Sequence, residues 1–108
     1  MSSGPNLLSF QGSLRAAQSE NVHRTVLDAL RNHESIVVDC SGADDIDVSF
    51  LQILIGAART ASVLRKDIRL AAPPSGALAE TLRRCGFPQA SLATTSLAEL
   101  FSHPAQAR

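Results

Sequence analysis

Ser49 is the residue whose type and setting point most directly to chemistry. It closes the stretch "DDIDVS", so a hydroxyl follows Asp44, Asp45 and Asp47 where a polar segment passes into an apolar helix. Ser49 with Gln52 three residues on has the form of a capping box, a structural device worth about 1 kcal/mol. Asp47 is the alternative cap, and that choice leaves Ser49 free in the first helical turn. A free hydroxyl there is a candidate phosphate acceptor. Phosphoserine carries about −1.5 to −2 charges at neutral pH, and a helix N-terminus, with its unpaired N–H groups and dipole, tolerates an anion. The three neighbouring aspartates would repel the added charge, making the modified surface more hostile to an acidic partner.

Other chemistries fit less well. An aspartyl-phosphate receiver needs acids gathered from separate strands around a metal, and a lysine to neutralise the phosphoryl group. The single lysine, Lys66, lies between a helix and the strand after it, and there is no early acid pair. A hydrolase needs a base to activate its serine, but His23, His33 and His103 are scattered and match no such motif. Nor do they have acid or cysteine companions at metal spacing. Cys40 and Cys85 stand far apart without a CxxC motif and read as buried free thiols. Arg83-Arg84 reads as a solvated helix edge and Ser75-Gly76 as an ordinary helix start. The expectation is a chain that is not an enzyme and uses no cofactor or metal.

The elements that must position Ser49 follow from the hydrophobic pattern. "LLSFQ" (7–11) reads as a short strand. Val22, Val26, Leu27 and Leu30 recur at helical spacing and predict a helix over about 15–32. "SIVVDC" (35–40) is a near-continuous run of the kind buried on both faces of a parallel sheet. Residues 41–48 then read as an acidic loop, with room for one more short extended piece. A second helix spans 49–64, "DIRLAA" is a further strand stopped by Pro73-Pro74, and a third helix runs from 75 to 85. Gly86 marks its left-handed terminus. A short strand near 91–93 and a short final helix complete the chain, with Ser96 and Glu99 forming a capping-box pattern.

Strands alternating with helices imply right-handed crossovers and an α/β fold. The expectation is a mainly parallel sheet of four or five strands with about four helices packed on it. It forms a single domain over 7–103, with loose ends at 1–6 and 104–108. The loop 41–48 leaves the carboxyl end of the central strand, the place where open parallel sheets gather binding sites.

The second helix adds a surface argument. Leu51, Leu54, Ile55, Ala58 and Ala61 form a stripe that should face the sheet, and Phe50, Ile53, Ala57 and Thr60 form another. A helix apolar on most sides is either deeply buried or covered by something else. Exposed Phe50 and Ile53 would mark a partner site, and a covering first or third helix is the alternative. Gly56 in mid-helix, at a cost of about 1 kcal/mol against alanine, hints at close backbone approach.

Composition bounds the partners. Ten basic residues balance ten acidic ones, so no net field draws the chain to nucleic acid or anionic lipid. No run approaches the roughly 18 apolar residues of a membrane span, and the first ten residues lack a secretory pattern. A cytoplasmic location is expected.

The stretch "VVDCSGADDIDVSFLQILIGAAR" resembles the signature of the STAS domain family, the anti-sigma-factor antagonists and their relatives. Asp39, Ser41 and Gly42 match the family's Asp-x-Ser-Gly strand end. Asp47 and Ser49 match the acid and the phosphorylatable serine of its Asp-Ser-Ser-Gly helix start. Phe50 replaces the glycine after that serine, Val48 replaces the first serine of the pair, and the N-terminal strand region is abbreviated. "SFQGSLRAAQSENVHRTVLDAL" and "LRRCGFPQA" extend the similarity over about 7–101. The resemblance implies a regulatory interaction module docking through the 41–48 loop and the 49–64 helix, with Asp44, Asp45, Asp47, Ser49, Phe50, Ile53 and Ala57 as contact residues. It implies Ser49 as phosphate acceptor, with an anti-sigma-type serine kinase and a phosphatase as partners. The alternative it implies is a constitutive subunit of a chemosensory or lipid-transport assembly that works without phosphate.

Overall fold

The computed structural model describes residues 6–102, and the order of elements follows the sequence pattern. Strand β1 spans Asn6–Leu14, and a 3₁₀ turn at Ala16–Gln18 leads into helix α1, Ser19–Asn32. Strand β2 spans Ser35–Ile46, helix α2 Val48–Leu64 and strand β3 Asp67–Leu70. Helix α3, Gly76–Arg84, a second 3₁₀ turn, Gln89–Ala93, and helix α4, Leu97–Ser102, follow. β1 begins at Asn6, inside the end expected to be loose. Residues 1–5 and 103–108, which hold the rest of the expected loose ends and His103, lie outside the described residues.

The sheet is parallel, in the order β1-β2-β3. Each right-handed crossover therefore steps the same way across the sheet, which puts α1 and α2 on one face. Burial agrees. Ile36, Val38, Cys40, Ile68 and Leu70 point into the core, while Leu7, Ser9, Gln11 and Arg69 of the opposite face are exposed. The expectation that β2 is buried on both faces is thus corrected: Val37 and Asp39 are only half-buried, because among the described residues no helix covers that side.

Among the described residues the sheet has three strands rather than four or five. The strand expected at 91–93 is a 3₁₀ turn entered from Pro88, and nearby contact with β3 is a lone antiparallel bridge, Arg69 to Ser96. Ser96 caps α4 as expected, accepting the Glu99 N–H at 3.4 Å, while the Glu99 carboxylate takes the Thr94 hydroxyl.

The core gathers Val22, Val26 and Leu30 of α1, Leu51, Leu54, Ala58 and Ala61 of α2, Leu78 and Leu82 of α3, and Leu97 and Leu100 of α4 over the inner sheet face. Cys40 is buried as expected. Cys85 is exposed, since α3 ends one residue before it. Arg65 closes α2 in the left-handed region at φ 61°, and Gly86 follows α3 at φ 92°.

Candidate functional site

The segment expected as an acidic loop is a bulged continuation of β2. Ser9 pairs with Asp39 but Gln11 with Gly42, and Gly12 pairs with Ala43 but Ser13 with Asp45, so β2 carries an extra residue at two places. Each bulge resets the alternation, which lets Ala43 and Ile46 return to the core while Ser41, Gly42 and Asp44 stay outside. The first bulge contains the Asp-x-Ser-Gly element. Asp39 Oδ1 accepts both the Ser41 backbone N–H (3.0 Å) and its hydroxyl (2.7 Å), an Asx-type turn. Those two donors, the backbone one first, hold the Asp39 carboxyl below its ordinary value. A Cβ at Gly42 would meet Gln11 Cγ at 2.9 Å, so a larger residue there would displace the Gln11 side chain.

Asp47 joins three elements. Its extended backbone ends the strand, and its N–H donates to the Leu14 carbonyl at 3.3 Å. One carboxylate oxygen caps α2 by accepting the Ser49 N–H at 2.9 Å, and the other accepts the Ala16 N–H at 3.1 Å. Asp45 is drawn to the same corner by Arg15, with Nη1 to Oδ1 at 3.0 Å. Two of the three aspartates therefore fasten the β1–α1 junction to the start of α2. Asp44 is exposed and, with Glu80 and Arg84, borders an open depression between the end of β2 and α3. Thr81 of α3 is buried and places its hydroxyl 3.0 Å from the Ile46 carbonyl, bracing the last residue of β2.

Because Asp47 supplies the cap, Ser49 does not. It is the second residue of α2, half-buried, and its hydroxyl makes no hydrogen bond among the described residues. It lines a groove of about 330 Å³ between α1 and α2, with Ser19, Glu20 and His23 on one wall and Gln52, Ile53 and Gly56 on the other. Positions 49, 52, 53 and 56 fall on one helix face, which is why they share the groove.

Two expected contact residues are corrected. Phe50 is 2% exposed and Ala57 is buried. In a helix, adjacent positions are about 100° apart, so setting Ser49 toward the groove turns Phe50 inward, where it meets Phe10. Neither Phe50 nor Ala57 is a surface for a partner; Ile53 is half-buried and stays in the groove. The close approach expected at Gly56 is likewise not found, since a Cβ there would have nothing within 4 Å.

The geometry thus joins a strand bulged at its Asp-x-Ser-Gly element to an Asp-capped helix whose second residue is a serine with no hydrogen bond to its hydroxyl among the described residues. Residues 1–97 match the family model described as Mlab, STAS domain. The chain belongs to the STAS domain family. No individual curated protein matches it. Membership places it among the regulatory and interaction modules of the anti-sigma-factor-antagonist superfamily. In this STAS domain Asp39, Ser41 and Gly42 lie within β2 at its first bulge, and Asp47 and Ser49 follow its carboxyl end. Glu20, His23, Arg15 and Thr81 escaped the sequence reading. The first two needed the α1–α2 packing to be known, and the last two act through contacts 30 and 35 residues away in the chain.

Proposed function

We propose that this STAS domain is a non-enzymatic interaction module, working in the cytoplasm, whose docking through the α1–α2 groove and the bulged end of β2 is switched by phosphate on Ser49. The observation that carries this reading is the unbonded Ser49 hydroxyl beside the groove, its capping task taken by Asp47. A serine kinase of the anti-sigma type supplies ATP and magnesium. Ser49 Oγ bonds to the γ-phosphorus, the bond to the ADP oxygen breaks, and the hydroxyl proton passes to the kinase's base. A phosphatase reverses the change. The added charge alters a groove wall that holds Glu20 and lies near Asp45 and Asp47, so partner affinity changes with it.

The test is a comparison of variants as bait. Ser49→Ala should retain the partners that the unmodified chain captures from native extract, and Ser49→Asp should lose or exchange them. Identical captured sets for both variants would contradict the switch.

A second reading is a constitutive subunit of a chemosensory or lipid-transport assembly. Val63 and Leu64 favour it: they are 81% and 46% exposed in the last turn of α2. That apolar end lies about 22 Å from Ser49 along the helix, too far for phosphate there to govern contact. Under this second reading Ser49→Ala and Ser49→Asp behave alike, and Val63→Asp abolishes capture.

A further inference from the structure

Asp47 divides its carboxylate between the two helices that wall the groove. Oδ1 holds the Ser49 N–H at the start of α2, and Oδ2 holds the Ala16 N–H in the 3₁₀ turn that feeds α1. That turn is also fastened by the Gln18 side chain on the Arg15 N–H, the Gln18 N–H on the Arg15 carbonyl, the Ser19 hydroxyl on the Ala16 carbonyl and the exposed Arg15–Asp45 pair. Ser19 and Glu20, which follow directly, line the groove opposite Ser49. A phosphate on Ser49 would bring three acceptor oxygens and a second anion to the very N–H that Asp47 occupies.

Resting on the reading of Ser49 as acceptor, we infer that phosphate there evicts Asp47 from its cap and thereby releases the Ala16 N–H, loosening the entry to α1. The modification then acts on both walls of the groove: α2 gains the charge, and the turn before Ser19 and Glu20 loses its tie to the start of α2. Phosphate oxygens replace the carboxylate at the α2 terminus, so α2 itself stays capped. The change is conformational as well as electrostatic.

The experiment installs phosphoserine at position 49 during translation, so it needs no kinase and its outcome is independent of whether one exists. Amide hydrogen exchange is then compared with the unmodified chain. The Ala16 amide should exchange about fivefold faster or more, the factor expected for a lost cap, while the Val38 and Leu54 amides stay unchanged. Asp47→Asn, which keeps one acceptor oxygen in place of two, should speed Ala16 exchange without phosphate. Phosphoserine 49 added to that variant should then speed it little further. Unchanged Ala16 exchange would overturn the inference, as would a rise shared equally by Val38 and Leu54, which signals global loosening. In either case the charge-based switch proposed above would stand or fall on its own test.

Discussion

Phe10 of β1 and Phe50 of α2 meet edge to face, their ring centroids 5.8 Å apart at 74°. This contact anchors the first turn of α2 to the sheet one residue after Ser49, and it fixes which way the serine points. Replacing Phe50 by alanine removes a buried ring, at a cost of about 3–5 kcal/mol, read as a lower midpoint in chemical denaturation. Phe50→Asp should fail to fold, so loss of partner capture by that variant would report on the fold and not on docking.

Gly56 makes the opposite prediction. It lies on the exposed face of α2 with open space where a Cβ would be, so Gly56→Ala should raise stability by about 0.5–1 kcal/mol. Differential scanning calorimetry measures this directly. A lower melting temperature would show that the glycine answers a constraint within the fold.

Much of this was legible from the chain alone. The periodicity of Val22, Val26 and Leu30 located α1, and the apolar run from Ile36 to Cys40 located the inner part of β2. The pairing of Asp47 and Ser49 marked the junction of β2 and α2, where Asp47 accepts the Ser49 N–H. The direction of Phe50 was not legible, because α2 is apolar on two adjoining faces and only the fit against Phe10 decides between them. The 41–48 segment read as a loop because two bulges break its alternation, a feature that depends on the register with β1. The strand count was overestimated where "ASLA" coils into a 3₁₀ turn after Pro88, since a run of four small and apolar residues does not separate the two forms.

The Asp39–Ser41 turn sets a pH dependence. Asp39 titrates below its ordinary value of 3.8 because the Ser41 N–H, and then the Ser41 hydroxyl, donate to its charged form. A depressed folded value means that its stabilising share is complete above the unfolded value and is lost as pH falls through the folded one. Ser41→Ala removes one donor and should move the Asp39 titration upward, as followed by NMR of the carboxyl carbon. An unmoved titration would show that the backbone donor alone sets it.

The two thiols should separate cleanly. Burial, and secondarily the neighbouring Asp39 charge, push the Cys40 thiol up to about 12, whereas Cys85 is exposed. Thiolate is the reactive form, so at pH 8 a disulfide reagent should titrate one thiol per folded chain rapidly and the second only on unfolding. Mass spectrometry should place the first adduct on Cys85, and a rapid adduct on Cys40 would contradict the inner-face position of that strand.

The claim on which the functional reading turns is that Asp47 caps α2 and so leaves the Ser49 hydroxyl available for modification. Phosphosite mapping by tandem mass spectrometry, on chain isolated from growing and from stationary native cells, tests it most directly. The account predicts phosphate on Ser49 in a fraction of molecules that differs between the two states, and none on the Ser49→Ala variant at that position. Unmodified Ser49 in both states, or phosphate confined to another residue, would contradict it.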